Sequence, residues 1–318
     1  MPYIPEFITR YFAKDEPKPP PISTETAVLL LIIYTLIYVV PFYLSPTTRP
    51  SSTLSRDAPT VIRARVASVS LTCIACSAIT LVILTSQGQA TFTEALHALG
   101  YWPVGLVETG KCLLLTAVLF AGPLYEYFVV DEEWREWLAL RPLFALKEWT
   151  TWRNIVAGPF TEEVLFRSAS VPLMVAARTP MTTTIFLSPL VFGLAHLHHF
   201  YEFRISHPHI RVSFAVMRSA MQLTYTTLFG AYTTFLFLRS GSVLAVFIVH
   251  AFCNCLGLPR FWGRVYPPVM IDDKGEMVRP SIMWTVTYYV LLFAGAIGWY
   301  RSLFLLTESS NALVSMTI

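Results

Sequence analysis

Long apolar runs separated by short polar connectors set the pattern along this chain. A bilayer core takes about 20 predominantly apolar residues per helix, and runs of that order predict membrane helices over residues 27–44, 66–84, 112–130 and 284–306. The crowded middle predicts four more, over 158–175, 184–197, 213–238 and 243–258. One span per run gives about eight membrane segments and an all-α, polytopic transmembrane helix bundle. Residues 131–147 set Trp134, Trp137, Leu138 and Leu140 against Asp131, Glu132, Glu133 and Glu136, which predicts an amphipathic helix lying at the interface.

Two polar connectors punctuate the runs: 45–65, with Arg49, Arg56, Arg63 and Arg65, and 198–211. The positive-inside tendency puts both on the cytosolic side, consistent with the even number of predicted helices between them. The chain divides accordingly into a polar, Pro-rich tail (1–26), N-terminal membrane helices with the interfacial helix (27–149), a membrane core (150–260), and a loop plus C-terminal helix (261–318). No internal repeat is evident.

Composition supports a membrane class. The 318 residues are 54% hydrophobic and only 14% charged, with a mean hydropathy of +0.55, far from a soluble domain. The net charge of +3 is dispersed and lacks a basic cluster interleaved with aromatics, which argues against nucleic-acid binding. Lys14, Asp15, Glu16 and the prolines of 17–21 precede an apolar run read as a retained anchor rather than a cleavable signal. No lipidation motif or retrieval signal is read at Thr317-Ile318. Cys73, Cys76, Cys112, Cys253 and Cys255 fall in or beside apolar runs and read as buried weak hydrophobes, not a disulfide framework. The Cys73-x-x-Cys76 spacing lacks the strand context of a redox motif.

Against this background the charges within the core stand out, because an unpaired charge at membrane depth costs several kcal/mol and such groups line polar interiors. FTEEVLFR carries Glu162, Glu163 and Arg167; FGLAH ends in His196; HAFCN carries His250 and Asn254. Glu163 and Arg167 are four apart in the order that favours an ion pair. Glu162 is turned about 100° from Glu163 by the helical period, so it can face a different neighbour. Gly158-Pro159 upstream marks a helix start or kink. His250 and Asn254 share a face, as do Phe192 and His196. Together three helices offer a carboxylate, two imidazoles and an amide, the set needed for water attack on a carbonyl with donors for the oxyanion. His207 and His209 read as solvated, whereas His198 and His199 are left open.

WRNIVAGPFTEEVLFRSASVPLM, FGLAHLHHF and QLTYTTLFGAYTTFLFLRSGSVLAVFIVHAFCNCLGLP closely resemble the eukaryotic type II CAAX prenyl endopeptidases, the Ras-converting enzymes of the wider ABI family of intramembrane proteases. SRDAPTVIRARV is similar to a stretch upstream in that family, so the resemblance covers about 55–259. It implies a glutamate protease of the endoplasmic reticulum membrane, open to the cytosolic side, that removes the C-terminal tripeptide from farnesylated or geranylgeranylated C-a-a-X proteins such as Ras-like small GTPases. By resemblance, Glu162 activates water beside His196, His250 and Asn254 stabilise the transition state, and Glu163 and Arg167 support them. No metal or other cofactor is implied, and membrane lipid is the natural partner.

Rival readings differ in chemistry. A zinc-dependent membrane peptidase could ligate metal through glutamate and two histidines, but H-E-x-x-H is missing. A thiol mechanism would use Cys253, with nothing nearby to activate it. A proton-coupled transporter would show paired broken helices, which are not evident. An inactive scaffold would keep the motif without turnover.

Overall fold

The computed structural model describes residues 19–267 and 280–315. Residues 1–18, part of the loop before the last helix, and Thr317-Ile318 lie outside them, and with them Lys14, Asp15, Glu16 and the readings of both chain ends. Among the described residues there are helices and connectors but no strands. The helices are α1 (Thr24–Val39), α2 (Pro59–Ser86), α3 (Phe92–Ala98) and α4 (Leu106–Leu119). A composite run, 149–176, is α5. It is followed by α6 (Met181–Ala195), α7 (His198–Ser206), α8 (Val212–Ser240), α9 (Val243–Leu256) and α10 (Met283–Ser302).

The helical membrane bundle stands, but its spans are less regular than one per apolar run. Among the described residues, three helical stretches are long and apolar enough to cross a bilayer, Thr24–Leu44, Pro59–Ser86 and Met181–Ser206. A fourth qualifies only if Leu106–Leu119 and Ala121–Val130, bent by 82°, form one span. That bend falls beside Gly122 and Pro123, where a missing backbone N–H and a bare Cα relax the helical ladder. The count of about eight is therefore not reached by length and apolarity. α8 has 29 residues but carries Arg218 within it and Arg239 near its end, and α9 is only 14 residues long.

Two further predictions are modified. Residues 131–147 form two short helices, Trp134–Leu138 and Arg141–Ala145, divided at Leu140, whose φ of 57° interrupts a right-handed helix. Gly158-Pro159 lies inside a continuing helical run, at a change from π to α geometry, rather than at its start. α5 begins earlier, at Trp149, passes through a π-helical stretch (Arg153–Ala157), an α-helical turn (Gly158–Glu163) and a second π stretch (Val164–Ala169), and ends in Val171–Ala176. Pro159 and Pro172 follow the two π stretches, and each removes an N–H that a regular ladder needs.

α5 is the core of the bundle: Leu165, Ala169, Val171, Leu173 and Met174 are fully buried. α6 and α8 pack closely along their length, α9 lies against α4, α5 and α8, and α10 covers the outer side of α4. Small residues permit these approaches. A Cβ on Gly193 of α6 would sit 2.6 Å from Thr227 Oγ1 of α8, so the backbones meet where a larger residue would separate them. All five cysteines are free; Cys73, Cys76 and Cys112 are buried as expected of packing residues, whereas Cys253 is half-buried and Cys255 is exposed near the end of α9.

Candidate active site

The two adjacent glutamates separate as the helical period predicts. Glu162 lines a cavity of about 1150 Å³, together with His196, His250 and Asn254. Glu163 points the other way and is fully buried. Arg167 Nη1 donates to Glu163 Oε1 at 3.1 Å, the expected i,i+4 pair, with both side chains inaccessible to solvent. The guanidinium also lies 4.7 Å from the centre of the Phe192 ring, a cation–π contact from α6.

Gly230 of α8 makes room for that pair. A Cβ there would lie 3.0 Å from Arg167 Nη2 and 2.7 Å from Pro189 Cβ.

A relationship that spacing alone does not disclose joins α5 to α9. His250 Nδ1 lies 2.7 Å from Glu163 Oε1, the same oxygen that receives Arg167. An ionised carboxylate only accepts, so Nδ1 carries the proton. The other ring nitrogen, Nε2, is 3.9 Å from Glu162 Oε2. The imidazole thus spans the two glutamates, and the Phe229 ring 4.7 Å away packs edge-on against it. Glu163 supports His250 as well as Arg167.

His196 caps the end of α6, and its Nδ1 donates to the Phe192 carbonyl at 3.1 Å. With that proton committed, Nε2 of the neutral ring is an acceptor. Phe192 consequently links two site groups, its ring facing Arg167 and its carbonyl orienting His196. Asn254, on the exposed side of the cavity, donates from Nδ2 to the Asn154 carbonyl at 2.9 Å. This fastens α9 to the first π stretch of α5 and leaves Asn254 its second amide hydrogen. Cys253 lines the cavity too.

A second polar cluster, not anticipated from the sequence, borders the same cavity. Glu202 of α7 is buried; its Oε2 accepts from Arg56 Nη1 at 2.9 Å and lies 3.1 Å from His199 Nδ1, and its Oε1 is 2.8 Å from Arg65 Nη2. These contacts bring the two polar connectors to one end of the bundle, as their shared charge predicts. Among the described residues, the acid and histidine ligand atoms that gather within 4.8 Å of one another belong to His198, His199 and Glu202. Glu162, His196 and His250 do not form such a group. The zinc reading therefore does not coincide with the cavity glutamate, and a cation at Glu202 would compete with two guanidiniums.

A polar cavity lined by a carboxylate, two imidazoles and an amide, set among apolar helices, is the kind of site a helical membrane enzyme would use. Residues 144–256 match the family model described as Type II CAAX prenyl endopeptidase Rce1-like, a region that contains all six predicted site residues. The chain is 38% identical over 275 residues to the probable CAAX prenyl protease 2 of Schizosaccharomyces pombe, covering 86% of this chain and 91% of that protein. It is 33% identical over 225 residues to CAAX prenyl protease 2 of Homo sapiens, covering 68% of each. To CAAX prenyl protease 2 of Arabidopsis thaliana it is 36% identical over 200 residues, 57% of this chain and 61% of that protein. No solved structure matches the chain. The chain belongs to the type II CAAX prenyl endopeptidase family, and it is a peptidase.

Proposed function

We propose that this protein removes the C-terminal tripeptide from isoprenylated C-a-a-X proteins by attack of a water molecule that Glu162 deprotonates. The observation that carries the reading is the division of labour between neighbours: Glu162 lines the cavity, while Glu163 is fully buried between Arg167 and His250.

A water held between the Glu162 carboxylate and His196 Nε2 gives up its proton to Glu162 as its oxygen adds to the carbonyl of the prenylated cysteine. The oxyanion is met by Asn254 Nδ2–H and by His250 Nε2–H. To donate there while Nδ1 stays on Glu163, His250 carries both ring protons in the transition state. Collapse of the tetrahedral species breaks the C–N bond, and Glu162 returns the proton to the departing amine. The products are a prenylcysteine carboxylate and a free tripeptide.

The wall of the cavity suits a lipidated substrate. Met217, Met221 and Leu228 line it from one side of α8 and are themselves exposed. An isoprenoid lying along that stripe stays in apolar surroundings, where each buried CH₂ contributes about 0.8 kcal/mol. Farnesylated and geranylgeranylated proteins, Ras-like small GTPases among them, are the proposed substrates. The proposed setting is the endoplasmic reticulum membrane, with the arginine-bearing connectors and the cavity mouth towards the cytosol.

The test is release of the tripeptide by purified, reconstituted protein from a farnesylated C-a-a-X peptide and from its unmodified counterpart. Release from the farnesylated peptide alone is expected. Equal turnover of the two would remove lipid recognition, and no release from either would remove the peptidase mechanism.

A further inference from the structure

A C-a-a-X substrate presents a free C-terminal carboxylate three residues beyond the bond to be cut. In a cavity walled by apolar helices that charge is unfavourable unless a donor of opposite sign meets it. Neither Glu162, His196, His250 nor Asn254 supplies a permanent cation.

The cluster at Glu202 does. Arg56, Arg65 and His199 line the same cavity as Glu162. Three guanidiniums, those of Arg56, Arg65 and Arg153, are paired with two carboxylates, Glu202 and Asp57, so a positive charge is left over. Their commitments differ. Arg65 is only 14% exposed and is fixed by Nε and Nη2 on the Thr48 carbonyl at 3.0 and 2.7 Å. Arg153 Nη1 is held by Asp57 at 2.8 Å and by the Arg56 carbonyl at 3.3 Å. Arg56 is 42% exposed, and its contacts are Nη1 on Glu202 at 2.9 Å and a looser approach of Nε to Asp57 at 4.0 Å. It keeps Nη2 and part of its fork for a ligand.

The spacing also fits. The His196 and His199 rings are 5.7 Å apart, His199 Nδ1 is 3.1 Å from Glu202 Oε2, and that oxygen is 2.9 Å from Arg56 Nη1. These links in series, with the radius of the His199 ring, put an upper limit of about 13 Å on the separation of the His196 ring and the guanidinium, against an extended tripeptide reach of about 10 Å.

We propose that Arg56 binds the C-terminal carboxylate of the substrate, with Glu202 and Arg65 as positioning residues that hold its guanidinium at the cavity wall. The proposal rests on the peptidase reading above. It makes the enzyme selective for a true chain end, since a planar guanidinium fork matches a carboxylate and gains nothing from a neutral amide.

The experiment compares a farnesylated C-a-a-X peptide carrying a free C-terminal acid with the same peptide as its C-terminal amide, using the purified, reconstituted full chain. A charge-assisted contact predicts about a tenfold or greater preference in kcat/KM for the acid. Arg56→Gln should lower kcat/KM on the acid about tenfold, through KM and with kcat largely kept, and change the amide little. Arg56→Lys, which keeps the charge but not the fork, should fall between. The melting temperature of each variant reports on folding independently. Equal handling of acid and amide by the unmutated protein, or an equal loss on both in Arg56→Gln, would overturn the assignment while leaving the peptidase reading intact. Failure to cleave either substrate would overturn the peptidase reading itself.

Discussion

His250 and Glu163 are joined at 2.7 Å, and the same imidazole reaches within 3.9 Å of Glu162 through its other nitrogen. The buried glutamate therefore fixes which face of the ring the cavity glutamate meets. Glu163, which takes no proton from water, positions the imidazole proposed to donate to the oxyanion.

Glu163→Gln should consequently fail twice. It leaves Arg167 without a counter-charge where both side chains are inaccessible, and breaking such a pair costs about 3–5 kcal/mol. It also replaces the anionic partner of His250. Detergent-solubilised protein should melt at a lower temperature and release tripeptide slowly. Neutralising Arg167 as well should recover part of the melting temperature but not the turnover, because His250 remains unanchored. Recovery of both would confine Glu163 to the ion pair.

Gly230 offers a separate check on how the pair is housed. A methyl group there meets Arg167 Nη2 at 3.0 Å and Pro189 Cβ at 2.7 Å. Gly230→Ala should force α8 away from α6 and lower stability by about 1–3 kcal/mol, the usual range for overpacking. Thermal melting beside Gly110→Ala, where an added Cβ meets nothing within 4 Å, measures this. Equal melting of the two variants would mean that α8 does not depend on that close approach.

Asn254 is tied to the Asn154 carbonyl by one amide hydrogen, and the other is assigned to the oxyanion. Asn254→Ala should lower kcat by about 10²-fold with little change in KM, the signature of a donor used in the transition state. Steady-state kinetics on a farnesylated peptide separates the outcomes. A change in KM alone would make Asn254 a substrate-binding residue.

How much of this was legible in the sequence depended on distance along the chain. The Glu163–Arg167 pair and the divergence of Glu162 follow from local helical periodicity, and both hold. The bond from His250 to Glu163 spans 87 positions and depends on how α9 packs on α5, which no spacing encodes. Arg56 and Arg65 read as positive-inside charges on a connector, and their gathering around Glu202 needed the bundle to bring two connectors together. The signal that could have exposed it was Glu202, an acid in a stretch of histidines and arginines. The irregularities in the helical runs left marks at Gly122-Pro123 and Gly158-Pro159, but apolar length alone reads through them.

The central claim is that Glu162, and not its neighbour, takes the proton from water. Glu162→Gln keeps shape and hydrogen-bonding capacity and removes only the base. Tripeptide release from a farnesylated peptide, measured alongside melting for Glu162→Gln and Glu163→Gln, is the most direct test. The account predicts that Glu162→Gln melts as the unmutated protein does and shows essentially no turnover, with no rescue by neutralising Arg167. Near-normal turnover in Glu162→Gln, with Glu163→Gln folded and inactive, would contradict it.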